Sequence, residues 1–345
     1  MKSPYRMKSP YKACLFLLVV LLVVGAAAFA TPLEMFFIDV EGGQATLLVA
    51  PSGESLLIDT GWPGFGGRDA DRIVAAAKEA GISRLDYVVV THYHDDHVGG
   101  VTQLAERIKI GTFVDHGPNR EDSDDTRANY AAYQKVLHGA QRMVVKPGDK
   151  IPVKGLDIEV VSADGETIAE PLKGAGQINP LCASEPAAPE DASENARSVG
   201  VVITYGGLRV LDLGDLSKRK ELQLVCARNR LGTVDLLVVS HHGFNESNTR
   251  ALVEGVHARV AIMDNGAHKG GSPDVWQTVH DSPGLADLWQ LHYAVEGGKE
   301  HNVAPDFIAN LDEKCEGKAI KVAAETDGTI TVTNTRTGFS KTYKK

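Results

Sequence analysis

The 345-residue sequence predicts an α/β protein, and three observations carry that reading. Short apolar runs of strand length recur in both halves of the chain. Segments with helical spacing stand between them, and Gly, Asp, Asn and Pro clusters punctuate the joins. Residues 35–40 and 45–50 read as strands separated by the turn Glu41-Gly42-Gly43-Gln44, and residues 55–58 form a third strand running into Asp59-Thr60-Gly61. Residues 68–80 place Ile73, Ala76, Ala77 and Ala80 on one helical face, and Gly81 stops that helix. Residues 85–90 are a continuous apolar strand. A helix is expected over 101–108, a strand over 111–115, a helix over 127–138, and strands over 142–145 and 156–161.

Residues 163–197 have no periodicity and are rich in Gly, Pro, Ala and Glu, the composition of an irregular insert; we read them as a lid. The second half repeats the pattern. A hairpin spans 199–204 and 208–213, followed by helices at 217–228, 249–256 and 272–280, with strands at 234–240 and 259–264. Residues 319–345 form a C-terminal β-hairpin around Asp327-Gly328.

The N-terminus stands apart. Lys2, Arg6, Lys8 and Lys12 precede an apolar run over 13–24 and a small-residue stretch ending at Ala30, the pattern of a secretory signal peptide over residues 1–30. The expectation is export to the periplasm or the extracellular space, with membrane attachment only through an uncleaved signal. Cleavage removes four positive charges and takes the net charge from −9 to −13. An acidic protein is a poor default partner for a long nucleic acid, because that affinity comes largely from Lys and Arg neutralising phosphates. Three cysteines remain, Cys182, Cys226 and Cys315, enough for one disulfide in an oxidising compartment.

The segment Thr91-His92-Tyr93-His94-Asp95-Asp96-His97 follows an apolar strand and is closed by Gly99-Gly100. Alternate side chains of an extended segment point the same way, so His92 and His94 can converge on one ion while Asp96 and His97 face a second position. Imidazole and carboxylate without thiolate suit zinc, with manganese or iron as alternatives. No Gly-x-Ser-x-Gly elbow, P-loop or dinucleotide fingerprint competes with this site.

With Leu56-Leu57-Ile58-Asp59-Thr60-Gly61 upstream, this histidine motif resembles the signature of the metallo-β-lactamase superfamily, a four-layer αββα sandwich. Val210-Leu211-Asp212-Leu213-Gly214-Asp215 and Val238-Val239-Ser240-His241-His242-Gly243 agree in order. Asn195-Ala196-Arg197-Ser198 resembles a motif of the subgroup that contains the hydrolase domain of ComEC-type competence proteins. The resemblance runs roughly over residues 34–310, within one domain over 31–345. It implies two divalent ions: His92 and His94 on the first, Asp96, His97 and one of His241 or His242, with His242 favoured, on the second, and Asp215 bridging. Asp59 would orient the ligands from behind, and His241 would face substrate.

The chain departs from the superfamily at Asn195, where a histidine for the first ion is usual. His116 is a candidate stand-in, and His268, with Lys269 beside it, a candidate at the mouth of the site. Two ions a few ångströms apart lower the pKa of a shared water, with Asp96 or Asp215 as proton acceptor. The expected activity is hydrolysis of a phosphoester or phosphodiester in a small molecule or cell-envelope component. A β-lactam or lactone hydrolase, and an inactive metal-poor binding protein, are the alternatives. Oligomeric state is not legible in the sequence.

Overall fold

The computed structural model describes Met1, Pro4 and residues 31–345; the signal-peptide reading falls on residues outside this set. Two nine-stranded sheets make the body of the molecule. From one edge to the other, the first runs Ser340–Tyr343, Ile330–Asn334, Ile320–Ala324, Leu33–Phe37, Thr46–Val49, Ser55–Ile58, Arg84–Val89, Lys109–Asp115 and Gln141–Val144. The second runs Ile308–Asn310, Asp287–His292, Val260–Met263, Leu236–Val238, Leu208–Asp212, Gly200–Tyr205, Asp157–Ala163 and Lys150–Ile151, with Glu166–Thr167 paired outside this path to Asp157–Ala163.

Strand alternation builds the layers. Leu33, Met35 and Phe37 of the first sheet meet Val201, Ile203, Leu236 and Val238 of the second in one core between the sheets. The residues between them point outward. Phe36 packs with Ile73 and Ala77 of the helix Arg68–Glu79 on one outer face, and Val202 and Leu237 pack with Leu224 and Leu252 on the other. The result is the four-layer αββα sandwich. Among the described residues no helix is long and apolar enough to cross a membrane.

In each sheet the strands nearest the chemistry are parallel. Ser55–Ile58 pairs in parallel with Arg84–Val89, which pairs with Lys109–Asp115. Leu208–Asp212, Leu236–Val238 and Val260–Met263 do the same in the second sheet. Parallel strands end together, so the loops after them gather along one rim of the sandwich, where ligands bind in open α/β sheets.

Three expectations need correction. The C-terminal segment is no isolated hairpin: Ile320–Ala324 pairs with Leu33–Phe37, and a third strand, Ser340–Tyr343, adds to Ile330–Asn334. Burying Ile320, Val322, Ile330 and Val332 against the inter-sheet core fixes this arrangement. The segment 163–197 is not a lid as a whole. Gln177–Ile178 pairs with Arg228–Asn229, and Cys182 is disulfide-bonded to Cys226. These residues lie near the entries of Leu236–Val238 and Val260–Met263, at the opposite end of those strands from the histidine loops. Residues 189–198 do approach the rim. The helix expected over 217–228 stops at Val225, because Cys226 is extended and continues into the short strand. The strands Asp287–His292 and Ile308–Asn310 were unexpected: Gln290 and His292 are buried there and blur the apolar run.

The bridge Cys182–Cys226 closes a loop of 44 residues in sequence separation. From loop closure, its removal should cost about 3–4 kcal/mol. The double variant Cys182→Ser/Cys226→Ser should melt well below the parent in a thermal scan, whereas Cys315→Ser should not share that loss.

Candidate metal centre

Asp59 ends the strand Ser55–Ile58 in a left-handed conformation (φ 61°), which turns its carboxylate into the rim. Its Oδ1 accepts from the Thr91 backbone N–H at 2.8 Å and its Oδ2 from the Thr91 hydroxyl at 2.6 Å. Oδ2 is also 2.7 Å from His97 Nδ1. That carboxylate places the His97 proton on Nδ1 and leaves the Nε2 lone pair facing the rim. Because the Thr91 hydroxyl spends its proton on Asp59, it accepts from His92 Nδ1, 3.0 Å away, and the His92 Nε2 lone pair is then free as well. Glu121 does the same for His94: its carboxylate is 3.0 Å from His94 Nε2, so the His94 lone pair is on Nδ1.

The turn between these histidines requires close backbone packing. A Cβ on Gly100 would stand 2.1 Å from the Thr60 carbonyl, and one on Gly99 would stand 2.2 Å from that of Asp95. Glycine is what lets the chain re-enter a helix directly below the motif.

The second sheet brings the remaining groups. Asp215 follows Leu208–Asp212 through Gly214, whose N–H donates to Asp212 Oδ1 at 3.0 Å. His241 and His242 both have φ 52°, and the His241 N–H donates to the Gly214 carbonyl at 3.0 Å, joining the two loops. Asp215 Oδ2 is 3.1 Å from His97 Nε2, 3.4 Å from His241 Nε2 and 3.9 Å from His92 Nε2. Its Oδ1 is 3.5 Å from His242 Nε2. Asp215 therefore stands among imidazoles from both sheets, and its buried Oδ1 has no hydrogen-bond partner.

The ring nitrogens make the same point. His92 Nε2 and His94 Nδ1, both bare on the proton assignments above, lie 3.0 Å apart. His97 Nε2 and His242 Nε2 lie 3.2 Å apart, and His242 Nδ1 is 3.3 Å from Asp264 Oδ1. Facing lone pairs repel unless a cation lies between them. The donor atoms of Asp96, His97, Asp215 and His242, all buried, lie within 4.8 Å of one another. The residues thus fit one divalent ion among these four, with nitrogen and oxygen donors suited to zinc, manganese or iron.

Electrostatics agree. Burial would raise the Asp215 carboxyl, yet the rings of His97, His241 and His242 hold it well below the usual carboxylate range. Asp96 is likewise raised by burial and carried well below that range by His97 and Lys269. His92 is depressed by burial and by the neighbouring His97 and His94. His97 goes the other way: Asp215, Asp96 and Asp59 outweigh burial and raise it. Lys269 Nζ donates to the Asp96 carboxylate and, at 2.8 Å, to the Gly42 carbonyl, lying over the Trp62 and Phe244 rings.

His242 is buried among Asp96, His97 and Asp215, while His241 is partly exposed beside Asp215. His116 does not stand in for a ligand: it is buried against Glu194, with its Nε2 2.9 Å from that carboxylate and its ring packed on Tyr93. His268 is exposed and 3.3 Å from Glu313, outside the mouth it was expected to reach. Ser198 Oγ lies 3.4 Å from His92 Nδ1, behind the ligands, and Asn195 Oδ1 is buried without a partner. Glu121, Glu194 and Asp264 were missed. Asp264 ends an apolar strand as Asp59 and Asp215 follow theirs, a signal that was available. Glu121 and Glu194 sit in polar stretches with no periodicity.

The Metallo-beta-lactamase superfamily model matches residues 39–178, which carry the histidine motif. ComE operon protein 3 of Bacillus subtilis (strain 168) is 26% identical over 54% of this chain and 20% of its own length. Recombination protein 2 of Haemophilus influenzae is 27% identical over 66% of this chain and 24% of its own length. The chain thus spans a quarter or less of these two relatives. The solved structure of Tm1679, a metal-dependent hydrolase of the beta-lactamase superfamily, is 14% identical, with a TM-score of 0.42 over 75% of this chain and 95% of its own. Over residues 39–178 the chain is thus similar to the metallo-β-lactamase superfamily, with motif order and strand-end geometry in agreement, and part of it is similar to ComE operon protein 3 and Recombination protein 2.

Proposed function

We propose that the chain is an exported hydrolase that uses two divalent ions, zinc foremost, to cleave a phosphoester or phosphodiester in a small molecule or cell-envelope component. The observation that carries this reading is the close approach of imidazole nitrogens, His92 to His94 and His97 to His242, around Asp215. Divalent ions held there would supply Lewis acidity and a water of near-neutral pKa.

The chain's own residues do the rest. Asp59, Thr91 and Glu121 fix the tautomers and ring orientations of His97, His92 and His94. His241, beside Asp215 and partly open to solvent, is placed to hydrogen-bond a substrate oxygen and to exchange a proton with the departing alkoxide. Lys269 sets a cation against Asp96 at the edge of the centre. A cavity of about 430 Å³ is lined by Ser217, Lys218, Arg219, Asn245 and Glu246, from the loops that carry Asp215 and His242, and by Glu190, Asp191 and Asn195. Lys218 and Arg219 stand there among the carboxylates of Glu190, Asp191 and Glu246, with Arg219 2.6 Å from Glu190, so this cavity does not itself select an anion. The overall acidity of the chain favours a small substrate over long nucleic acid.

Bis(p-nitrophenyl) phosphate and a chromogenic cephalosporin, assayed in parallel with the metal-loaded protein, separate the readings. Turnover of the first is expected, and cleavage of the cephalosporin alone would overturn the proposal. Chelation should abolish activity and added zinc restore it. Asp215→Asn and His242→Ala should lose bound metal by elemental analysis, whereas His268→Ala should keep it. Glu121→Gln should weaken metal binding by about 10–100-fold, as loss of a carboxylate behind a ligating histidine does. Lys269→Ala should reduce kcat/KM for the phosphodiester by roughly 10-fold, the loss of one charge-assisted hydrogen bond, and spare a neutral ester. Mass spectrometry of the exported protein should find Thr31 at the N-terminus.

A further inference from the structure

We propose a second metal-binding site, separate from the histidine centre, formed by Asp39, His292 and Cys315. These residues come from three distant parts of the chain: the turn after Leu33–Phe37 in the first sheet, the end of Asp287–His292 in the second, and the loop between Ile308–Asn310 and Ile320–Ala324. One donor atom from each lies within 4.8 Å of the others. His292 Nε2 is 2.8 Å from Asp39 Oδ1, and Cys315 Sγ is 3.1 Å from Asp39 Oδ2 and 3.9 Å from His292 Nε2. Asp39 and His292 are fully buried, and Cys315 is partly so.

An imidazole, a carboxylate and a thiolate converging on one point are the donor set of a tetrahedral zinc site. Glu41, whose Oε1 is 3.9 Å from Cys315 Sγ, stands near enough to supply or replace a fourth ligand. Arg72 opposes a cation here: it donates to Asp39 Oδ2 at 3.1 Å and to the Asp39 carbonyl at 2.9 Å, and is 3.8 Å from Cys315 Sγ. Arg68, 3.0 Å from Glu41 Oε1, and Arg72, 3.3 Å from the same oxygen, balance the carboxylates of Asp39 and Glu41, so the further negative charge an ion needs comes from Cys315 losing its proton on ligation. Arg72 also occupies only one carboxylate oxygen, leaving Oδ1 for the ion in place of the His292 proton. Cys315 is the free cysteine beside the Cys182–Cys226 disulfide, and ligation would protect it from oxidation outside the cell.

An ion at this position clasps the two sheets together where the turn Glu41-Gly42 leaves the first. Gly42 offers its carbonyl to Lys269, and Asn265, in the same loop as Lys269, donates to the His292 carbonyl at 2.9 Å. The clasp would therefore steady the loop that holds the cation beside Asp96.

Cobalt(II) tests the site apart from the catalytic centre, because a thiolate ligand gives a near-ultraviolet charge-transfer band that the all-nitrogen-and-oxygen centre cannot give. Full-length mature protein, kept free of reductant, is titrated with cobalt. The band is expected to saturate with about one equivalent beyond the two taken by the histidine centre, and Zn²⁺ should slow the reaction of Cys315 with a thiol reagent. Cys315→Ser and His292→Gln should each bind about one equivalent less, and Cys315→Ser should lose the band while melting as a folded protein. No band at saturating cobalt, or equal metal content in parent and Cys315→Ser, would overturn the assignment. These readouts do not depend on whether the protein hydrolyses any substrate.

Discussion

Two buried carboxylates share one small volume in this protein, and the rest of the rim is arranged around that fact. Asp96 Oδ2 is 3.3 Å from His97 Nε2 and 3.0 Å from His242 Nε2, and Asp215 leans on the same two rings. Desolvating each carboxylate costs several kcal/mol, which only opposite charge held in good geometry offsets. Protons on His97 and His242 can meet that need, and so can metal ions. Both solutions demand the same ring positions, so the fold is built to hold imidazoles against carboxylates whichever cation is present. Burial alone would drive both carboxyls towards neutrality; the rings, joined by Lys269 at Asp96, keep them ionised.

Holding rings that closely takes backbone and partners from several strand ends. Asp59 binds Thr91 twice and His97 once, so one carboxylate sets the tautomers of two histidines. On the other sheet, His241 and His242 are both left-handed, a conformation that non-glycine residues adopt at a cost of about 1–3 kcal/mol. The hydrogen bond from His241 to Gly214 holds that loop to the Asp215 loop, so Asp215 and the histidines of the second sheet are tied into one unit. The inter-sheet core then sets the distance between this unit and His92 to His97. A cavity in the inter-sheet core, such as Trp289→Ala would open, should therefore disturb ligation as well as stability.

Much of this was legible in the sequence because it is local. The spacing of His92, His94, Asp96 and His97, and the position of Asp59 and Asp215 just after apolar strands, are short-range signals that strand geometry turns directly into a site. The layer order follows from alternation, which Leu33, Met35 and Phe37 obey against Phe36. What was not legible depends on pairs far apart in sequence. Lys269 reaches Asp96 across 173 residues, and His292 reaches Asp39 across 253. Nothing in Asp287–His292 marks it as a central strand, since Asp287, Gln290 and His292 interrupt its apolar residues. His116 shows the opposite case, a residue the sequence left open between a ligand and a supporting histidine. It ends a parallel strand on the correct rim, yet Glu194, carried there by the chain just before Asn195, takes its Nε2 before any ion can.

Lys269 ties these threads to substrate choice. An ammonium group beside a metal-ligating carboxylate weakens that carboxylate's hold on a metal, so its presence needs a reason outside metal binding. It is held by the Gly42 carbonyl and two aromatic faces, contacts that fix its position without neutralising its charge. Asp96 is the only carboxylate bonded to it among the described residues. When a divalent ion draws on the Asp96 charge, the ammonium is left under-compensated at the edge of the centre. An incoming phosphate oxyanion restores the balance, and a neutral lactam or lactone carbonyl does so only weakly. Under the proposed function the same lysine would tilt a metal-loaded centre towards anions, and this asymmetry is the physical ground for proposing phosphoester chemistry.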